Sequence, residues 1–306
     1  MESKEMLKIA LQTGAMKPAM LQLFTDAHVP ILQDDPDSFD GLVKGMGSVR
    51  FRKSAHIPEG VLAGEQDCGI TGVDVIYEQW GEEQVIHIAQ INLARRSQQS
   101  AKVVLVGKKG SIYVERGAGF DEDRFRIEGV RLFVDPEYTR IASEIDRQSY
   151  SLVTVIETKG TSEERIRGDK DFAIVAIETG STLAANGLCI VNVLMECPMV
   201  LFVKKSLHEY DPVRFERVQE LGLLLQSVAE ARGKCLIKMN VPSHDMEKIL
   251  ALLPALQSPT FMPLTALGFV ALESVVPKDE LQSLIPRLKA AGASGIIVSE
   301  INQLVI

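Results

Sequence analysis

The sequence predicts an α/β protein with a separate small domain at its C-terminus, and three observations carry that expectation. Apolar runs of strand length alternate with longer amphipathic stretches through the first two thirds of the chain, the pattern of largely parallel sheets covered by helices. A long helix signal then opens at Asp211 and Pro212, an N-cap oxygen followed by a proline at the first helical position, and closes at Gly233. Beyond it, KCLIKMN, HDMEKILALL, PTFMPLT, GFVALES, PKDELQSLIPRLKAAG and ASGIIVSEI read as β-α-β-β-α-β, a ferredoxin-like layout with two helices on one face of an antiparallel sheet.

In chain order, the apolar runs predict strands at 7–11, 49–53, 67–71, 101–107, 131–135, 151–157, 171–177 and 199–205. Helices are expected at 19–27, 58–65 and 138–149, and the polar, glycine-bearing text at 108–125 reads as a surface excursion. Along the long helix, Val213, Phe215, Val218, Leu221, Leu225 and Val228 recur at helical spacing, so one face should pack on a neighbouring unit.

Composition sets the class of partner. With 306 residues, 46% apolar and 24% charged, the chain is long enough for about two or three domains. A net charge of −8 argues against a general nucleic-acid or anionic-membrane binder, while leaving room for a local pocket that takes a phosphorylated small molecule. The start, MESKEMLKIALQTG, lacks a secretory apolar region, and no stretch reaches a membrane span of about 18 apolar residues, so a cytoplasmic protein is expected. Cys68, Cys189, Cys197 and Cys235 are scattered without a C-x-x-C pair and read as buried thiols. His28, His56, His87, His208 and His244 show no metal-ligand spacing, so no protein-held metal site is expected.

Two strand-to-helix turns have the chemistry of ligand loops. DCGITGVDVIYE places Gly69, Thr71 and Gly72 after one strand, and AIETGSTLAANGL places Glu178, Thr179, Gly180, Ser181 and Thr182 after another. Open parallel sheets bind ligands at the carboxyl ends of their strands, so two such turns from two lobes would line a cleft. The second turn suits a phosphate, because its glycine admits close approach, its hydroxyls donate and a helix follows. Glu178 suits sugar hydroxyls or a ligand-bound Mg²⁺. The alternative is a capped helix start with Asn186 and Gly187 as the helix stop.

ETGSTLAANGL resembles the phosphoribosyl-pyrophosphate loop of the ATP phosphoribosyltransferase family. LKIAL, HIPEG with QDCGITGVDVIYE, the G-T-S-E stretch at 160–163, MEKILALLPALQSPTFMPL and LIPRLKAAGASGIIV are similar to that family's segments in the same order, so the resemblance covers nearly the whole chain. It implies the long form: a two-lobed core of the periplasmic-binding-protein type (type II) plus a ferredoxin-like regulatory domain. The first lobe would be 1–97 and 190–232, the second 98–189 and the regulatory domain 233–306. The implied reaction is attack of N1 of ATP on C1 of phosphoribosyl pyrophosphate, with pyrophosphate leaving bound to Mg²⁺. Such a reaction needs positioning and charge stabilisation, and no nucleophile triad is visible.

The implied donor-binding residues are Glu178, Thr179, Gly180, Ser181 and Thr182, with Gly160, Thr161 and Glu163 on a second loop. Gly14, Lys53, Thr71 and Gly72 are implied on the nucleotide side, Thr260 as a contact for histidine acting as inhibitor, and dimers forming a hexamer as the assembly. Where the family has P-K-G-R after the first strand, this chain has Gln12, Thr13, Gly14 and Ala15, and the family's aspartate three residues before the loop glutamate is Val175. The family's R-x-x-D-I-P is here Lys53, Ser54, Ala55, His56, Ile57 and Pro58. Arg95, Arg96 and Lys102 are the candidate cations to compensate, with Lys108 a further candidate to reach the ligand. The other function compatible with these changes is a diverged member that binds nucleotide or sugar phosphate as a regulatory protein, or that transfers to another acceptor.

Overall fold

The computed structural model describes residues 6–91, 101–111, 129–148, 153–254 and 259–306. The first apolar run forms β1 (Leu7–Gln12), whose Leu7, Ile9, Ala10 and Leu11 are all buried, as expected of a central strand covered on both faces. After a 3-10 turn at Gly14–Met16, the chain forms α1 (Lys17–Asp26), β2 (Ile31–Leu32), β3 (Asp40–Val43), β4 (Gly47–Arg52), α2 (His56–Leu62), β5 (Cys68–Gly72), α3 (Val73–Trp80) and β6 (Val85–Ile91). With β12 (Met199–Lys204), these strands make one sheet in the order β2, β3, β4, β1, β5, β12, β6. β1 runs parallel to β4 and β5, so the ends of these strands at Gln12, Arg52 and Gly72 share one edge.

The second sheet holds β7 (Ala101–Lys108), β8 (Val130–Val134), β9 (Val153–Glu157), β10 (Asp171–Ile177) and β11 (Leu188–Cys197), in the order β11, β7, β10, β8, β9. Helix α4 (Thr139–Gln148) follows β8, and the short α5 (Ser181–Ala185) follows β10. β8 is parallel to both β9 and β10, which again brings three carboxyl ends to one edge. β10 is buried on both faces. Phe172 and Ile174 join Leu132, Val134, Ile141 and Ile145 on one side, and Ala173 and Val175 join Val104, Phe133 and Leu183 on the other. Each fully buried aliphatic side chain here contributes about 1.5–3 kcal/mol of transfer free energy.

From β12 the chain passes through α6 (Leu207–Tyr210) into α7 (Pro212–Ala231). Asp211 caps α7 as expected, its Oδ1 accepting the Arg214 N–H at 3.1 Å. At Gly222 the helix comes so close to the first sheet that a Cβ would lie 2.8 Å from Cγ2 of Ile88. The last part of the chain forms β13 (Lys234–Pro242), α8 (Met246–Leu250), β14 (Thr260–Pro263), β15 (Phe269–Pro277), α9 (Leu281–Ala290) and β16 (Ser294–Glu300). Its sheet order, β14, β15, β13, β16, with antiparallel neighbours throughout, is the ferredoxin-like arrangement. Strict alternation along β13 turns Cys235, Ile237, Met239 and Val241 inward, onto Ile249, Leu284 and Leu288.

The second lobe extends to Cys197, not to 189, because β11 pairs antiparallel with β7 over its whole length through two register shifts. By its contacts the chain divides into two compact units inside α7, Met1–Phe24 with Val29–Gly222 and Thr25–His28 with Leu223–Ile306. Among the described residues, no helix is long and apolar enough to cross a membrane. The cysteines are free, with Cys68, Cys197 and Cys235 buried; burial, with Asp74 nearby, pushes the Cys197 thiol up to about 12.

Candidate active site

The bend after β10 is open. Thr179, Ser181 and Thr182 are exposed, Gly180 is left-handed at φ +72°, and the hydroxyls of Thr179 and Ser181 lie 3.2 Å apart. The contacts a Cβ would make at Gly180, 3.6 Å to Ile177 and 3.7 Å to Ile190, are ordinary, so the backbone conformation and not crowding calls for glycine. α5 is only five residues long, closed by Asn186 Nδ2 donating to the Thr182 carbonyl at 2.8 Å. Its dipole is correspondingly small, so any anion here would be held by the bend's own amides and hydroxyls rather than by a helix end.

The loop after β9 occupies the same edge. Gly160 and Thr161 are consecutive left-handed residues, at φ +79° and +57°, and Thr161 and Lys159 are exposed. Oδ1 of Asp135, from the end of β8, accepts the Gly160 N–H at 2.8 Å and the Thr158 hydroxyl at 2.5 Å. Glu163 lies half-buried in the 3-10 turn Ser162–Arg165. Sequence alone passed over Asp135, Thr158 and Lys159; the visible signal was a cation directly before the Gly-Thr pair.

On the first lobe, Gly14 is left-handed at φ +68° with open space around it, and Lys53 is exposed at the end of β4. Thr71 differs from expectation: it is fully buried, and its Oγ1 accepts Nε2 of Gln12 at 3.0 Å, so the hydroxyl ties β5 to β1 and does not face a ligand. At Gly72 a side chain would collide with the Asp74 carboxylate, which folds back over the start of α3.

A cavity of about 300 Å³ opens between the two sheets, with Ser54, Asp74 and Glu78 on the first-lobe side and Glu137, Tyr138 and Thr139 on the other. None of the binding residues expected from sequence lines it, although Ser54 and Ala55, from the stretch that replaces the family's R-x-x-D-I-P, do. Burial raises the Asp74 carboxyl above the usual range against two backbone N–H donors, and Glu137 adds to the rise. Burial likewise raises Tyr138, with Asp74 and Glu137 contributing. This wall repels phosphate and suits hydrogen-bond donors such as hydroxyl or amino groups. The lobes are joined beside it: Glu78 accepts the N–H groups of Arg140 at 2.8 Å and Ile141 at 3.0 Å, Tyr77 donates to Glu144, and the Arg140 guanidinium lies 5.1 Å from the Tyr77 ring centre.

A family profile described as ATP phosphoribosyltransferase matches residues 53–227, and one described as the HisG C-terminal domain matches 231–303. An ATP phosphoribosyltransferase of Chlorobium phaeovibrioides is 30% identical over 320 aligned residues, covering 99% of each chain. The chain belongs to the ATP phosphoribosyltransferase family. Another relative of that name, from Nitratidesulfovibrio vulgaris, is 30% identical over the full length of both chains. Among solved structures, the ATP phosphoribosyl transferase (HisG:HisZ) complex from Thermotoga maritima shares the fold, with a TM-score of 0.54 at 20% identity, over 72% of this chain and 99% of that one.

The positions where this family member departs from the usual text now have an environment. Lys17, the next cation after β1, is held away: its ammonium donates to the carbonyls of Pro36 and Ser38 at 2.5 and 2.9 Å and lies 4.7 Å from the Phe51 ring centre. Lys102 is ion-paired across strands with Glu196 at 2.8 Å. Arg95 and Arg96 lie outside the described residues. Val175 sits in the apolar cluster with Val104, Val106 and Phe133. In the terminal unit, Thr260 is exposed at the start of β14, opposite Glu273, which is paired with Lys238 at 2.8 Å. Among the described residues, no three His, Cys, Asp or Glu side chains are grouped to hold a metal.

Proposed function

We infer that this chain transfers the phosphoribosyl group of phosphoribosyl pyrophosphate to N1 of ATP and releases pyrophosphate, the step that opens histidine biosynthesis. The observation that carries this reading is family membership over the whole length, at 30% identity across 99% of both chains. The N1 lone pair of adenine forms the bond to C1 while the bond from C1 to the pyrophosphate oxygen breaks, and the electron pair leaves with pyrophosphate. Mg²⁺ enters as part of the donor substrate and offsets the charge that develops on it.

In this reading the bend at 178–182 takes the 5′-phosphate, with Glu178 toward the ribose, and the loop with Gly160, Thr161 and Glu163 lines the pyrophosphate side. Its support is the shared carboxyl edge of β8, β9 and β10 and the exposure of Thr179, Ser181 and Thr182. The nucleotide enters from the first lobe past Gly14, Lys53 and Gly72, and its donor groups meet the carboxylates of the interlobe cavity. Histidine acts as inhibitor through the terminal unit near Thr260, the chain assembles as dimers forming a hexamer, and the protein works in the cytoplasm. The test is direct: ATP, Mg²⁺ and phosphoribosyl pyrophosphate are mixed with the protein and phosphoribosyl-ATP is followed by absorbance, with a pyrophosphatase pulling the reaction forward. Steady product formation is expected, and its absence at high enzyme concentration would overturn the assignment.

A further inference from the structure

Asp135 ends β8 and reaches sideways into the loop of the neighbouring strand. A carboxylate has no proton to give, so in its 2.5 Å contact the Thr158 hydroxyl must be the donor. That hydroxyl also lies 2.5 Å from Oγ of Ser162, and with its own proton committed it receives the proton of Ser162. Thr158 and Ser162 are buried, so water does not compete for this relay. Its direction is therefore fixed, from Ser162 through Thr158 to Asp135, and the same Oδ1 also takes the Gly160 N–H at 2.8 Å.

The relay brackets the least comfortable backbone on this edge. Thr161 is left-handed at φ +57° and ψ +43°, and a β-branched residue persists there only where its surroundings over-determine it. Bonds on both sides of it, at Gly160 and at Ser162, converge on Asp135, and the Glu164 N–H closes on the Thr161 carbonyl at 3.0 Å. The left-handed pair stands at the carboxyl end of a parallel strand, with Lys159 and Thr161 exposed.

We propose that Asp135 is a positioning residue for the phosphoribosyl donor: through Thr158, Ser162 and the Gly160 amide it holds the 158–163 loop in the shape that receives phosphoribosyl pyrophosphate. This rests on the transferase reading above. The experiment compares Asp135→Ala, Asp135→Asn and Thr158→Val with the wild type, with each substrate varied at saturation of the other. In Asp135→Ala the KM for phosphoribosyl pyrophosphate should rise ~10-fold or more, while that for ATP stays within about twofold. Asp135→Asn keeps an Oδ1 that accepts both bonds and should recover most of the loss; Thr158→Val, near-isosteric, should shift the same KM by a smaller factor.

An unchanged donor KM in Asp135→Ala, or an equal rise for both substrates, overturns the proposal while leaving the transferase reading intact. If Asp135→Ala does not fold, the donor KM of Thr158→Val decides in its place, a selective rise supporting the proposal and wild-type behaviour overturning it. A wild-type protein that makes no product sinks the reaction but not the positioning, which calorimetric titration with phosphoribosyl pyrophosphate then reads as a weaker Kd in Asp135→Ala. No binding by the wild type overturns both.

Discussion

Val175 shows what one position means in its packing. The resemblance to the family puts an aspartate at this position, which makes Val175→Asp the obvious restoration, but the residue is 7% exposed and surrounded by Val104, Val106, Phe133 and Leu183. A carboxylate placed there would lack a partner, and by the measure of an uncompensated buried charge the change should cost roughly 3–5 kcal/mol, seen as a lower urea midpoint. Asp171, four residues earlier on the same strand, is the opposite case. Burial would raise its carboxyl, but the Arg131 guanidinium and the N–H groups of Gly168 and Arg167 outweigh that, and the net shift is downward. A carboxyl lowered in the folded state stabilises fully above its ordinary value of 3.8, and that contribution is lost as pH falls through the lower folded value. Asp171→Asn should therefore lower stability at neutral pH by about 2 kcal/mol and flatten the loss of stability below that value, which acid titration of the urea midpoint would read. The sequence displayed both residues equally; what separates them is the set of neighbours, which only the fold supplies.

At the scale of elements, apolar periodicity located the buried strands well but missed the edge strands β2, β6 and β11. β10, apolar from Phe172 to Ile177, was legible because both its faces are covered. β11 was not, since LCIVNVLMEC mixes polar with apolar residues and leaves Ile190 and Val193 exposed at the sheet edge. β2 is two residues long and carries no period at all. The cavity between the lobes escaped sequence reading for a related reason: Asp74, Glu78 and Glu137 lie on a helix and a turn from different sheets. The same α3 carries the joint beside that cavity, where Glu78 covers the first amides of α4 across the lobes. Removing this cap with Glu78→Ala should destabilise the protein by about 1–2 kcal/mol, the usual cost of an N-cap. Because the joint lies beside the cavity, KM should rise for both substrates together, unlike the selective effect expected at Asp135. Wild-type kinetics in Glu78→Ala would show that the contact of α3 with α4 does not set the cleft.

Across the whole molecule, the ferredoxin-like unit was the most legible feature, because its six elements follow one another locally in sequence. Its limit was less legible, since α7 reads as one continuous helix from Asp211 to Gly233, whereas the compact units part between Gly222 and Leu223. The chain end explains where the later half of that helix belongs. The Leu304 N–H donates to the Ser227 carbonyl at 2.8 Å, and Nε2 of Gln303 donates to the Ser227 hydroxyl at 3.1 Å, so the last turn of α7 and the C-terminal tail brace each other within the terminal unit. A fragment beginning at residue 233 keeps the sheet and both helices but loses this brace and leaves the tail without its partner. A fragment beginning at residue 223 retains it. Two lost hydrogen bonds of about 1 kcal/mol each should make the shorter fragment less stable by about 2 kcal/mol at equal concentration, measured by urea unfolding followed by circular dichroism. Equal midpoints would mean that the terminal unit ends its dependence on α7 at Gly233.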